Sequence, residues 1–306
     1  MAELIETIAF ISGANRGLGL YTARHLGLAG VRVVMGSMNP ENGAKAAADL
    51  KKQCIKAESV KFDLEQEQDH IALRQYLEKQ FGRLDILVNN AGVTLEGNVS
   101  ELGPHNTVLN VPIETVRKTY EINFFGALRL TRTLLPLLRR APAARIVNVS
   151  SILGSLTLHS DPSKPLVSEY KSFVYGSSKT LLNAFTVYIA HALRGTQIKA
   201  NSAHPGWTKT DLGGAAAELD PEEGGKNQRA TGTAGCKRSH WWLLPPRRAA
   251  SLVEKRPLPR IDLFNTRGGN YAKFWKPPEK AAPVRQCTSM CPNPHTVRCF
   301  NPWRIP

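Results

Sequence analysis

Thr7-Ile8-Ala9-Phe10-Ile11-Ser12-Gly13-Ala14-Asn15-Arg16-Gly17-Leu18-Gly19 is the stretch from which the fold can be read. Its first five residues make a short apolar, partly β-branched run, the pattern of a buried strand. Ser12 to Gly19 is a glycine-rich turn, and Leu20 to Leu28 then shows helical spacing of apolar residues. Strand, glycine turn and helix in this order give such a turn its meaning. Glycines let backbone pass close to a pyrophosphate, and the helix N-terminus offers unpaired N–H groups and the positive end of its dipole. A chance glycine turn would lack the flanking strand. The stretch predicts a dinucleotide seat.

Moving outward, Val31 to Met35 reads as a second strand ending in Gly36-Ser37-Met38. An acid at such an end suits a ribose 2′-hydroxyl, and basic residues suit a 2′-phosphate. Here there is no acid, and Arg16 supplies a cation inside the turn, so NADP(H) is favoured over NAD(H). Gly43 to Lys52 is an alanine-rich helix. Val60-Lys61-Phe62-Asp63-Leu64 reads as a third strand, with Asp63 placed to meet an adenine amino group. Helix Asp69 to Phe81 and strand Leu84 to Val88 follow, the latter running into Asn89-Asn90-Ala91-Gly92. Two asparagines there can tie neighbouring strand tips together and leave a small Ala-Gly pair beside a ligand.

Helix Glu114 to Arg140 contains Asn123; strand Arg145 to Val149 ends in Ser150-Ser151. Ile152 to Ser172 is polar and loop-like. A helix from Tyr175 to about Leu193 precedes strand Ile198 to Ala203, which ends in His204-Pro205-Gly206-Trp207-Thr208. Alternating strands and helices predict an α/β protein with a Rossmann-type doubly wound parallel sheet. In such sheets ligands bind outside the carboxyl ends of the strands, where these motifs lie. Asn123 and the Tyr175 helix would have to pack over that edge.

On that last helix Tyr175 and Lys179 are one turn apart and face the same side. A tyrosine hydroxyl titrates near pH ~10, and a neighbouring cation favours the phenolate and lowers that value. The pair is a candidate general acid/base.

The net charge of +15 suggests an anionic partner until its distribution is read. Residues 1–224 hold 24 Lys and Arg against 22 Asp and Glu, whereas 225–306 hold 16 against 3. The same tail carries 11 of the 20 prolines and four of the five tryptophans, and it shows no sustained periodicity. The first part is an ordinary near-neutral domain. The second reads as disordered, with a frame-shifted or gene-model origin as its simplest explanation. Cys287, Cys291, His295 and Cys299 are spaced by four each, but zinc fingers use shorter Cys spacing, and Pro292 and Pro294 interrupt any aligning helix. No metal is expected. Trp241, Trp242, Phe274 and Trp275 among basic residues resemble a stacking surface for nucleic acid, but patternless disorder accounts for them, so no nucleic-acid partner is expected. Met1 to Phe10 lacks a secretion leader, no apolar run reaches membrane-spanning length, and Cys54 is the only cysteine before the tail. These features make a cytoplasmic protein with no membrane partner the expectation.

Taken in order, the Ser12 to Gly19 turn, Asn89-Asn90-Ala91-Gly92, Asn123, Ser150-Ser151, Tyr175 to Lys179 and Pro205-Gly206 resemble the classical short-chain dehydrogenase/reductase family, in the style of its carbonyl-reductase-like members. The resemblance covers about residues 5–224. It implies a reductase of a ketone or aldehyde, with a small-molecule carbonyl or alcohol as its partner. By that resemblance Tyr175 is the general acid, Lys179 lowers its pKa and holds the nicotinamide ribose, Ser151 bonds the substrate oxygen, and Asn123 completes a proton path through water to Lys179. The cofactor contacts it implies are Ser12, Gly13, Asn15, Arg16, Gly17, Leu18 and Gly19 in the turn, then Asp63 and Leu64. Further along they are Asn90, Ala91 and Gly92, Tyr175 and Lys179 themselves, and Pro205, Gly206 and Thr208. The gap from Ser151 to Tyr175 is longer than the family's usual one, so Ser155 to Tyr170 would flank the mouth of the site. Trp207 and Leu212 suggest an apolar wall. The tail stands where the family has a last helix and strand. That sets a second expectation beside the first, a non-catalytic cofactor-binding protein whose basic tail is disordered or binds a partner.

Overall fold

A computed structural model describes residues 6–96, 108–164, 167 and 172–226 of the 306-residue chain. The tail's cysteines, all but one of the tryptophans, and residues 165, 166 and 168–171 before the Tyr175 helix lie outside the described residues. The description begins with strand β1, Ile8–Ile11, whose four residues are all buried. Helix α1 is Gly17–Leu28, β2 Arg32–Ser37, α2 Pro40–Lys51, β3 Ala57–Lys61, α3 Glu67–Phe81 and β4 Ile86–Asn89. Helices α4, Ile113–Tyr120, and α5, Ala127–Leu138, are joined by a π-helical stretch, Glu121–Gly126. Strand β5 is Arg145–Val149, followed by a 3₁₀ turn at Ile152–Gly154 and the short helix α6, Leu156–His159. Helix α7, Phe173–Ala192, and strand β6, Lys199–Ala203, follow.

The six strands are all parallel, in the order β3-β2-β1-β4-β5-β6. The strand order reverses between β1 and β4, which opens a crevice above their carboxyl ends. The apolar run of β1 is continuous because both of its faces are covered. Ile8 and Phe10 join Leu73 and Leu77 of α3 and Leu130, Leu134, Leu137 and Leu138 of α5 in one core. Ala9 and Ile11 join Ala23 and Leu26 of α1 and Ala46, Ala47 and Leu50 of α2 in the other. Each leucine withdrawn from water in these layers contributes about 2 kcal/mol.

The structure places β3 three residues earlier than its sequence suggests. Pairing with β2 runs from Val33↔Ala57 to Ser37↔Lys61, so Phe62, Asp63 and Leu64 follow the strand rather than belonging to it. As the outer strand of the described sheet, β3 has one neighbour, and its residues are mostly half-buried. It needs no apolar run. The apolar Phe62 instead closes the end of the layer, edge-on to Phe10 at 5.3 Å between ring centroids. A second difference lies after β5, where the expected loop folds into the 3₁₀ turn and α6. Ser151 and Ser155 cap these turns by accepting from Leu153 N at 3.2 Å and Leu158 N at 3.3 Å.

Candidate active site

A cavity of about 1630 Å³ opens along the carboxyl edge of the sheet, from Met38 and Asp63 at one end to Ser151 and Tyr175 at the other. The glycine turn forms its floor. Gly13 and Gly17 have φ of +64° and +52°, left-handed values that favour glycine. A Cβ at Gly19 would lie 2.4 Å from the Gly13 carbonyl oxygen. Asn90 locks the turn by donating from Nδ2 to the Ser12 and Gly13 carbonyls at 2.9 and 3.1 Å. At the head of α1, Arg16 occupies the cap position in extended conformation without a side-chain cap bond. The first residues of α1, Gly17, Leu18 and Gly19, line the cavity, which fits a pyrophosphate at the head of the helix.

Of the residues expected to hold a cofactor, all line this cavity except Ser12. Ser12 is 1% exposed and stands behind the wall. Its Oγ accepts from Asn90 N and Ala91 N, both at 3.0 Å, and so ties β1 to the end of β4. Asp63 lines the cavity from the turn after β3, where its Oδ1 accepts from Glu65 N at 3.0 Å. Beyond β2 the cavity meets Met38, Asn39 and Asn42, none of them acidic. Arg16 reaches across the opening to Asp211, an ion pair of two exposed side chains. Trp207 and Leu212 both line the wall, and Trp207 is anchored by Nε1 donating to Gly213 O at 2.8 Å.

The asparagines after β4 do tie strand tips, with more partners than expected. Asn89 Nδ2 donates to Asn148 Oδ1 on β5 at 2.7 Å and to Thr131 Oγ1 on α5 at 2.9 Å. Asn148 Nδ2 continues to Thr186 Oγ1 on α7 at 2.8 Å, which accepts in turn from Ser202 Oγ on β6 at 2.9 Å. This buried chain fixes the middle of α7 against the sheet.

At the far end of the cavity Ser151, Tyr175 and Lys179 meet. Tyr175 is 8% exposed and shares a hydrogen bond with Ser151. Lys179 Nζ lies 5.5 Å from the Tyr175 ring centroid and donates to Val149 O at 2.9 Å. The lowered tyrosine pKa expected from the spacing is not what this geometry gives. Burial pushes the Tyr175 phenol up to about 12, opposed by the Ser151 hydrogen bond. It pushes the Lys179 ammonium down to about 8. Desolvation is the leading cause for both groups. His204, just before Pro205, shares the cavity wall, and burial takes it down to about 4, which leaves the ring neutral.

Asn123 is 1% exposed and stands behind the wall, in the π-helical stretch. Its Oδ1 accepts from Val93 N at 2.8 Å, while Nδ2 donates to Val93 O and to Ser178 Oγ, both at 2.9 Å. A Cβ at Gly92 would lie 3.2 Å from Asn123 Oδ1 and 3.3 Å from Lys179 Nζ, so a glycine keeps these two groups close together. Such π-helical turns are rare and concentrate at functional sites.

Sequence reading missed Glu96. This buried carboxylate sits on the N-terminus of α7, accepting from Ser172 Oγ at 2.7 Å and from Val174 N and Tyr175 N, both at 3.0 Å. No local spacing links Glu96 to Tyr175, which is 79 residues away. Among the described residues no cluster of His, Cys, Asp or Glu could hold a metal ion, and no helix is long and apolar enough to cross a membrane.

A glycine-turn dinucleotide seat joined to a Ser-Tyr-Lys wall defines the class: a nucleotide-dependent oxidoreductase of Rossmann type. Residues 7–220 match the short chain dehydrogenase family model, and the chain belongs to that family. Short-chain dehydrogenase anuI of Penicillium roqueforti is 32% identical over 235 residues, covering 74% of this chain and 88% of the relative. Carbonyl reductase [NADPH] 1 of Mus musculus is 30% identical over 253 residues, covering 71% and 87%. The salutaridine reductase structure from Papaver somniferum superposes with a TM-score of 0.66 at 23% identity, over 78% of this chain and 99% of that one, which shows the shared fold.

Proposed function

We propose that this chain is an NADP(H)-dependent reductase of a ketone or aldehyde, able to run backwards on the alcohol. The observation that carries the reading is the meeting of Tyr175, Ser151 and Lys179 in the wall of a cavity whose floor is the glycine turn. Bound NADPH supplies the hydride. Tyr175, kept protonated by burial, gives its hydroxyl proton to the substrate's carbonyl oxygen. Ser151, already hydrogen-bonded to Tyr175, donates to the same oxygen where negative charge develops. Lys179, held by Val149 O, would bind the ribose hydroxyls of the cofactor and keeps positive charge beside the phenol. Asn123 holds the Val93 backbone and Ser178 in place behind them, at the start of a proton path to Lys179.

The preference for the 2′-phosphate is supported by Arg16 in the cavity wall and by the absence of an acid at Met38, Asn39 and Asn42. A relative named carbonyl reductase [NADPH] 1 agrees with it. The apolar faces of Trp207 and Leu212 suit a small, partly apolar carbonyl compound. We assign the reaction to residues 1–224, where every group invoked lies, and its place to the cytoplasm.

The test is oxidation of NADPH by the purified full chain against a panel of ketones and aldehydes, beside Tyr175→Phe. Removing a general acid should lower turnover by about 10²-fold or more. A Tyr175→Phe chain that turns over like the parent would overturn the reading.

A further inference from the structure

The loop after β4 does more than line the cavity. Asn90 grips the glycine turn, Val93 grips Asn123, and three residues later Glu96 grips the head of α7. Its two carboxylate oxygens divide the work. Oε1 takes Val174 N at 3.0 Å, and Oε2 takes Ser172 Oγ at 2.7 Å and Tyr175 N at 3.0 Å. The first N–H groups of a helix have no partner within the helix. Ser172 stands at the cap position of α7 yet makes no side-chain cap bond to the helix. A buried carboxylate from a distant loop supplies what the local sequence does not, at the end of the helix where the dipole favours negative charge.

We propose that Glu96 is the positioning residue for Tyr175. Its carboxylate bonds the backbone N–H of the very residue whose hydroxyl does the chemistry. The height and rotation of the first turn of α7 therefore follow from where Glu96 sits. Other ties on α7 lie further along the helix, among them Tyr120 to Ser177, Asn123 to Ser178, Lys179 to Val149, and Asn148 to Thr186. Those ties hold Lys179, and Glu96 holds Tyr175. Because the same loop carries Ala91 and Gly92 in the cavity wall, it joins the cofactor seat to the proton donor and fixes the distance between them.

The inference rests on the reading of Tyr175 as proton donor, and the test keeps the two apart. Steady-state turnover with NADPH and a ketone or aldehyde from the panel that the parent reduces is measured for the full-length parent, Glu96→Ala, Glu96→Gln and Tyr175→Phe. NADPH affinity and melting temperature are measured for each. A displacement of about 1 Å at a reacting group can cost about 10²-fold in rate. Glu96→Ala should therefore lose about 10- to 100-fold in kcat, with KM for the carbonyl and the Kd for NADPH close to the parent's. Glu96→Gln fills the same space and can keep its oxygen on Tyr175 N and Ser172 Oγ, but its amide N–H then faces Val174 N, so it should recover only part of the rate. A merely structural role would instead lower melting temperature and NADPH affinity together with kcat. Parent-like kcat in Glu96→Ala beside an inactive Tyr175→Phe overturns the role of Glu96 alone. Turnover surviving in Tyr175→Phe, or absent from the parent, overturns both readings.

Discussion

Replacing Lys179 with methionine should stabilise the fold in a pH-dependent way while abolishing turnover. Lys179 is 4% exposed, and burial takes its pKa from 10.5 to about 8. That difference corresponds to about 3 kcal/mol against the ammonium in the folded state. Below pH 8 both folded and unfolded chains carry the proton, so the whole penalty is present. Between about 8 and 10.5 the unfolded chain holds the proton and the folded chain does not, so stability rises with pH by just over ~1 kcal/mol per unit. Methionine never carries the charge. It does orphan the Val149 carbonyl, at about 1–3 kcal/mol whatever the pH. The stability difference, Lys179→Met minus parent, should accordingly be larger at pH 7 than at pH 10 by about 2 kcal/mol. Tyr175, raised to about 12, and Tyr76, raised to about 12, lose stability as pH climbs above 10, but they do so in both proteins and drop out of the difference. Urea melts at pH 7, 8.5 and 10 measure it. A difference that stays flat, or that grows toward alkaline pH, would refute the claim that burial sets the protonation of this lysine.

Two further outcomes follow from the floor of the cavity. Gly19→Ala puts a methyl 2.4 Å from the Gly13 carbonyl oxygen and 2.6 Å from Asn90 Nδ2. It should cost about 1–3 kcal/mol in denaturant melts and abolish NADPH binding, and a parent-like Kd would show that the turn is not the seat. Arg16→Ala removes one side of an ion pair whose side chains are both 75% exposed, so melting temperature should hold. NADPH affinity should fall by about tenfold with NADH affinity unchanged, as expected for a lost charge-assisted bond. Equal losses for both nucleotides in calorimetry would mean that Arg16 does not face the 2′-phosphate.

The parts of the molecule that sequence discloses are those whose physics is local. Strand β1 declares itself because burial on both faces demands an unbroken apolar run, and the glycines of the turn because left-handed backbone and a 2.4 Å approach leave no room for a side chain. Strand β3 misleads for the same reason in reverse. With one neighbour among the described strands it tolerates Glu58 and Ser59, while the apolar pattern that catches the eye belongs to the Phe62 cover beyond it. The π-helical stretch at Asn123 is silent because nothing in Glu-Ile-Asn-Phe-Phe-Gly forbids an ordinary helix. The widened turn is set by Val93 and Ser178, bonded from other elements. Glu96 is silent because its partners are 76 to 79 residues away.

Tyr175 and Lys179 show the limit most clearly. A four-residue spacing says that they share a helix face, and from that alone a cation should make the phenol more acidic. What each group does with its proton depends on the medium around it, which is a property of the folded assembly. The elements that bury the pair are Val149 at the end of β5, Leu153 in the turn after it, and Val167 from the segment before α7. Together they turn a charge pair into a phenol that keeps its proton and a lysine close to releasing one. For the proposed reduction this is the useful arrangement. An acid that holds its proton until the carbonyl oxygen has gained charge does not lose it to water beforehand. The lysine, titrating near 8, can return a proton to Tyr175 at neutral pH at little cost.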